Sequence, residues 1–283
     1  MMNTLNQFDF NTNRSFGVEI EFFGVHYSTV IDALTRKGIN VKHESYNHTT
    51  RRHWKLVFDA SVTNTGTGNY RGGHEIVSPV LRGKEGLNEL KIVLDTLDEI
   101  GASVDRTCGL HVHHDVNDFE LENFKNIYYL YYKFEKFFDA VVAPSRRGNN
   151  NTYCQGIRKA QVEALKNACS LNDINSIFSS RYCKLNFQSF FRQGTIEFRQ
   201  HGGTINSEKV LNWIIFTQAI VERGKLETIR VSHDREEVTN DKHERRLRRT
   251  LFGNSKVGVL DNEYGKAFKF QVSRRKYFES RVA

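Results

Sequence analysis

Glu19 and Glu21 flank a single apolar residue in Gly17-Val18-Glu19-Ile20-Glu21-Phe22, and that spacing decides what they can do. In an extended chain successive side chains leave opposite faces, so both carboxylates share one face while Val18, Ile20 and Phe22 take the other. Two like charges side by side repel and are costly to bury unless a cation lies between them. A lone Glu-x-Glu is more often a solvated strand face. Three later stretches repeat the rhythm. In Gly109-Leu110-His111-Val112-His113-His114-Asp115, His111 and His113 share a face and Asp115 continues it. In Thr195-Ile196-Glu197-Phe198-Arg199, Glu197 and Arg199 share a face with Ile196 and Phe198 behind them. In His74-Glu75-Ile76-Val77-Ser78, Glu75 points with Val77, a less clean alternation.

If those faces line one concave sheet, Glu19, Glu21, Glu75, Glu197 and one histidine become ligands for a divalent ion. A carboxylate-rich set with few imidazoles favours Mg²⁺ or Mn²⁺ over zinc. Arg199 would clamp a phosphoryl or carboxylate group with two parallel hydrogen bonds, and His113 could donate to a phosphate. Each piece has an ordinary explanation: a single strand histidine is usually structural, and Glu197 with Arg199 can be a same-strand ion pair. Repetition on otherwise apolar strands is harder to dismiss.

The elements that must position these residues are legible in outline. Ser28 is placed to cap a short helix through Lys37, ended by Gly38. Ile39 to Glu44 and Trp54 to Asp59 alternate as strands, and the Gly, Thr and Asn of 64–73, with Arg71 among them, read as a loop. Its phosphate-cradling potential is weak, because neither Gly-Lys-Ser/Thr nor a helix follows. Helical spacing runs from Leu87 to Ile100 and, after Asp118, in one long helix to about Val142. Its aromatics Phe124, Tyr128, Tyr131, Phe134 and Phe138 read as core rather than as a stacking platform. Helices follow over Gln155–Cys169 and Leu171–Phe178, strands over Tyr182–Gln188 and Thr195–His201, and helices over Ser207–Arg223 and Asp234–Leu251. Strands and helices mix without regular alternation, so an α+β fold around a largely antiparallel sheet is expected.

The totals set limits. A chain of 283 residues with 39% hydrophobic and 26% charged residues folds around a sizeable core. No apolar run reaches membrane-spanning length and the first ten residues lack the blocks of a signal peptide, so the cytoplasm is the expected compartment. Cys108, Cys154, Cys169 and Cys183 show no Cys-x-x-Cys spacing and read as free thiols. Net charge is +8, and from Arg223 onward there are 16 Lys and Arg against nine Asp and Glu. That segment could meet nucleic acid, a nucleotide or an acidic partner, or be a solvated basic face.

Read together, six stretches resemble the amidoligase family of the carboxylate-amine ligases, which include glutamine synthetase and glutamate-cysteine ligase. They are Gly-Val-Glu-Ile-Glu-Phe at 17–22, Trp54 through Asp59-Ala60-Ser61, and His-Glu-Ile-Val-Ser-Pro at 74–79. The others are Cys-Gly-Leu-His-Val-His at 108–113, Arg181-Tyr182 leading to Leu185-Asn186, and Thr-Ile-Glu-Phe-Arg at 195–199 with Gly203-Thr204. The resemblance covers roughly residues 15–215. It implies a glutamine-synthetase-like catalytic fold, a curved antiparallel sheet backed by helices that holds ATP and Mg²⁺. A catalytic domain over 1–223 would be followed by a basic segment, 224–283, packed on it.

Carried over by motif, Glu19, Glu21, Glu75, His111 and Glu197 are expected on metal, His113 on a phosphate and Arg199 on the transferring phosphoryl. One departure is visible: glutamine synthetases place a further metal carboxylate shortly after the His-Glu strand, where this chain has Ser78-Pro79-Val80-Leu81-Arg82. The implied reaction joins a small-molecule or peptide carboxylate to an amine through an acyl phosphate made from ATP, with a glutaminase-type partner as one source of ammonia. Asp59 is a candidate for amine binding or proton removal, against a turn-capping role. Arg146, Arg147 and Arg181 are candidates for nucleotide phosphate or substrate carboxylate, against ordinary surface roles. Two other readings stand beside this one. A metal-dependent hydrolase would use His111, His113, His114 and Asp115, and a nucleic-acid module would use the basic C-terminal segment.

Overall fold

The computed structural model describes residues 11–63, 73–226, 234–253 and 262–281. The 64–72 stretch, with Arg71, lies outside them. Among the described residues the chain runs β1 (Ser15–Phe23), α1 (Tyr27–Arg36), β2 (Val41–His43), β3 (Trp54–Phe58), β4 (Gly73–Val77), β5 (Leu81–Arg82), α2 (Gly83–Glu99) and β6 (Gly109–Asp115). It continues α3 (Leu121–Lys133), α4 (Glu135–Val141), a 3-10 turn at Pro144–Arg146, α5 (Lys159–Lys166), α6 (Leu171–Ile177), β7 (Leu185–Asn186), α7 (Gln188–Gln193), β8 (Thr195–Gly202), α8 (Ser207–Leu226), α9 (Asp241–Phe252) and α10 (Glu263–Glu279). None of these helices is long and apolar enough to cross a membrane. The elements form two compact units, one drawn from 13–114 and 201–211, the other from the remainder.

The first is a sheet unit. β1 lies between β4 and β6, antiparallel to both; β3 is antiparallel to β4, β2 is parallel to β3, and β5 pairs with the start of β1. The open, mostly antiparallel sheet agrees with the α+β expectation. Pro79 separates β4 from β5, and Ser78 bridges the gap by accepting the Val18 N–H at 2.9 Å through its hydroxyl. Cross-strand partners share a face. One face carries Val18, Ile20, Leu56, Ile76, Leu110 and Val112, all buried. α1 and α2 back the sheet with the buried Val30, Leu34, Leu90, Val93, Leu94 and Leu97, and the Trp54 indole donates to Glu89 of α2 at 2.7 Å. Each such side chain contributes roughly 1.5–3 kcal/mol of transfer free energy.

The second unit is mainly helical. β7 and β8 pair antiparallel, Leu185 with Phe198 and Asn186 with Glu197. Aromatic residues form the core: Phe124, Tyr128, Phe178 and Phe187 pack edge to face or tilted, and Tyr131 stacks on Phe138 at 4.2 Å. The α3 aromatics are therefore core, as their spacing predicts. A buried polar set lies among them. Lys184, fully buried, donates to Glu135 at 2.7 Å and to Asp139 at 2.6 Å, and Asp139 also accepts from the Gln200 amide at 2.6 Å.

Several local expectations are corrected. The His26 ring, not Ser28, caps α1. The long helix is broken at Phe134, whose backbone leaves helical values at φ −103 and ψ 17, and the break turns Glu135 and Asp139 toward Lys184. Only Leu185–Asn186 of the 182–188 stretch is strand; α7 replaces its end, with the Asn186 side chain accepting the Gln188 N–H. α10 escapes the sequence pattern because two of its inward positions are the polar Gln271 and Arg275. The basic excess is partly internal too: Arg223 donates to the Thr250 carbonyl, Arg235 pairs with Glu135, and Arg246 with Glu236. Arg275 pairs with Asp241, Glu244 and Glu279.

Candidate active site

The polar face of the sheet unit is set by register. Glu19 is opposite Val77 on β4 and His111 on β6, and Val77 in turn opposite Lys55 on β3. The next row holds Glu21, Glu75 and Val57. Four of the expected ligands, Glu19, Glu21, Glu75 and His111, thus occupy two adjacent rows of one face. His113 is opposite Gly17, where no side chain competes for space.

Imidazoles hold the first carboxylate. His111 Nδ1 lies 3.0 Å and His113 Nε2 3.4 Å from opposite oxygens of Glu19. Burial pushes the Glu19 carboxyl up, but the His111 hydrogen bond and the nearby His113 ring, with their charge, outweigh it and hold Glu19 well below the ordinary carboxylate range. Glu21 accepts the Gly109 N–H at 2.6 Å, and its other oxygen is 3.8 Å from His111 Nε2.

Glu75 is different. It is buried, and its carboxylate accepts no hydrogen bond from a described residue. Burial first, then the charges of Glu19, Glu21 and Asp59, push its carboxyl well above the ordinary range, and Lys55 offsets only part of this. A buried carboxylate without a donor, ringed by three more, fits a divalent cation. The ligand atoms of Glu19, Glu75 and His111 lie within 4.8 Å of one another, and so do those of Glu21, Asp59 and Glu75. Asp59 also accepts the Ser61 N–H at 2.7 Å, so it caps a turn while one side of it faces the carboxylates.

His114 is on the opposite face. It is fully buried, and burial with the neighbouring Arg14 and His113 charges pushes its imidazole down to about 3. Asp115 caps the following turn by accepting from Asn117. The contiguous His-x-His-His-Asp stretch does not converge on one point.

In the helical unit, Glu197 and Arg199 share a face of β8 as the spacing predicts. Arg199 Nη1 donates to one Glu197 oxygen, and Asn186 donates to the other at 2.6 Å, so the carboxylate is held from both sides. The Arg199 Nε–H reaches the Tyr153 carbonyl at 3.4 Å. The three candidate arginines diverge. Arg146 is buried in the 3-10 turn. Arg147 donates twice to the Val142 carbonyl and lies 4.8 Å from the Phe278 ring. Arg181 is half-buried, 5.1 Å from the Tyr182 ring centre and 3.3 Å from its hydroxyl.

Sequence reasoning missed Lys55 and the role of Asn186. Lys55 is buried on the acidic face, where burial pushes its ammonium down, and its Nζ donates to the Asn47 carbonyl at 2.6 Å and side chain at 3.2 Å. The signal was present: a lysine at the inward beat of Trp54-Lys55-Leu56-Val57 is out of place on a central strand unless charge awaits it. Asn186 falls in one of the stretches that carry the resemblance, but its pairing with Glu197, eleven residues on, was not legible from spacing.

No curated protein matches this chain. A family model described as a putative amidoligase enzyme matches residues 12–221, which takes in β1 through most of α8 and every motif on which the resemblance rests. With so much of its length covered, the chain belongs to the amidoligase family, a family of ligases.

Proposed function

We propose that this protein is an ATP-dependent carboxylate-amine ligase with a glutamine-synthetase-like catalytic fold, forming an amide through an acyl phosphate. The observation that carries the reading is Glu75: a buried carboxylate with no hydrogen-bond donor among the described residues, between Glu21 across the strand and Asp59 beside it. Glu19, Glu75 and His111 would hold one Mg²⁺ or Mn²⁺, and Glu21, Asp59 and Glu75 a second, with Glu75 common to both. Asp59 then supplies the carboxylate that the stretch after the His-Glu strand lacks. Bound metal supplies the positive charge that a polyphosphate and its transferring γ-phosphoryl require.

The protein's own groups do the positioning. His111 and His113 keep Glu19 ionised and fixed, and the Gly109 N–H fixes Glu21. By motif, Arg199 is assigned to the transferring phosphoryl, His113 to a phosphate and Glu197 to metal. Asn186 and Arg199 between them hold Glu197 in a single orientation, which is the preorganisation that electrostatic catalysis needs. The substrates are a small-molecule or peptide acid and an amine.

The test is direct. Purified protein, ATP and Mg²⁺ are incubated with pooled acids and amines, and phosphate release and new amides are followed by mass. Amide formation that needs both ATP and Mg²⁺ is the expected result. Tightly bound zinc with ATP-independent hydrolysis would overturn it.

A further inference from the structure

Two tyrosines stand out in the helical unit. Tyr153 is 49% and Tyr182 39% exposed, yet their rings meet edge to face, 5.4 Å apart at 73°. Exposed aromatics elsewhere in this chain are mostly scattered, and a lone one needs no explanation. These two are built into place. Gln155 bridges to Cys183, its N–H donating to the Tyr182 carbonyl at 3.1 Å while its own carbonyl accepts from Lys184 at 3.0 Å. Asn151 accepts the Tyr153 N–H at 2.8 Å and, through its carbonyl, the Gln155 amide at 2.6 Å. The two backbones are thus fixed by hydrogen bonds that involve neither ring, and Lys184 anchors the second of them in the buried ion set.

The corner opens beside charge. Arg181 lies against the Tyr182 ring and hydroxyl, and the Tyr153 carbonyl accepts from the Arg199 guanidinium. Rings at a steep angle offer a planar group one face to stack on and an edge to meet, and a guanidinium alongside adds cation–π attraction.

We infer that Tyr153 and Tyr182, with Arg181, form the seat for the purine base of the nucleoside triphosphate, one hydrogen bond away from the arginine assigned to its phosphates. The assignment rests on the proposed ATP-dependent reading. A base stacked here leaves its phosphates on the Arg199 side, whereas an acidic peptide would have no use for two exposed rings.

Calorimetric titration of the full chain with Mg²⁺-ATP and with Mg²⁺-tripolyphosphate separates base from phosphates. The wild type should bind ATP at least about tenfold more tightly than tripolyphosphate, the size of one base–aromatic stack. Tyr182→Ala and Tyr153→Ala should each weaken ATP binding by about tenfold and leave tripolyphosphate binding within about twofold, which also reports an intact fold. Tyr182→Phe, which keeps the ring, should retain ATP affinity. Equal affinity of the wild type for the two ligands, or alanine variants that bind ATP normally, would overturn the base seat while leaving the ligase reading standing. A wild type that binds neither ligand would overturn the ligase reading, and the seat with it.

Discussion

Glu75 of β4 sits directly opposite Glu21 of β1, both buried, with no cationic side chain between them in the strand register. Like charges in that position destabilise a sheet. The fold tolerates the pair on its central strands, with Glu19 and Asp59 adding to the same field. Stability is given up locally where a site must hold something that the chain alone does not provide.

Glu75→Gln should therefore stabilise the metal-free protein at neutral pH by about 1 kcal/mol, a rise of about 2–4 °C in Tm, while abolishing the further rise that Mn²⁺ produces in the wild type. The pH dependence follows from the sign of the shift. The Glu75 carboxyl is pushed up when folded, so between its ordinary value of 4.5 and that raised value the folded protein holds a proton that the unfolded chain has released. Metal-free stability accordingly falls as pH rises through this window, and the fall is absent in Glu75→Gln. Glu19, held low by its histidines, acts oppositely, its contribution being lost only as pH drops below 4.5. Thermal melts in chelator across the acidic to neutral range check both signs.

Glu21→Gln keeps an acceptor for the Gly109 N–H but removes a charge from the proposed second ion position. Mg²⁺-dependent ATP turnover should be lost while circular dichroism stays that of the wild type and Tm does not fall. Undiminished turnover would remove Glu21 from the metal role.

How far such a site could be read from sequence depended on whether its geometry is local. Strand alternation is a local rule, so the shared face of Glu19 and Glu21, and that of His111 and His113, was legible from spacing. That Glu75 joins them needed register, which Ser78 and Pro79 set by fixing where β4 ends against β1. Asp59 was visible as a residue, but its place beside Glu21 and Glu75 depends on β3 pairing with β4. Where side chains replace the expected pattern, spacing failed. A helix that looked continuous breaks at Phe134, where Glu135 and Asp139 turn inward to Lys184, and Arg275 hid α10 by being a buried charge on its inner face.

Arg199→Lys should lower kcat/KM by about 10²–10³, the usual cost of losing one preorganised donor at a site of developing charge. A lysine keeps the positive charge but offers no planar fork, so it cannot hold Glu197 and a phosphoryl group together. Steady-state kinetics on the substrates found in the pooled screen measures this, and retention of most activity would take Arg199 out of the mechanism.

Lys184→Met should destabilise the protein by about 3–5 kcal/mol, because it leaves buried carboxylates without their shared cation. Lys184 has no exposed surface, and its ammonium is the common donor to Glu135 and Asp139. Arg235 still pairs with Glu135 at 2.9 Å, so the uncompensated charge falls mainly on Asp139, which among the described residues keeps the neutral donors Gln200 and the Gly148 N–H. Adding Asp139→Asn to Lys184→Met should therefore recover a substantial part of the loss, whereas adding Glu135→Gln should recover less. Urea unfolding of the three variants decides it. A single variant within about 1 kcal/mol of the wild type would mean that the set is worth no more than an exposed salt bridge. Since the Lys184 carbonyl accepts the Arg199 N–H, the same variants should also loosen the strand that carries Arg199, and activity should fall even where the fold survives.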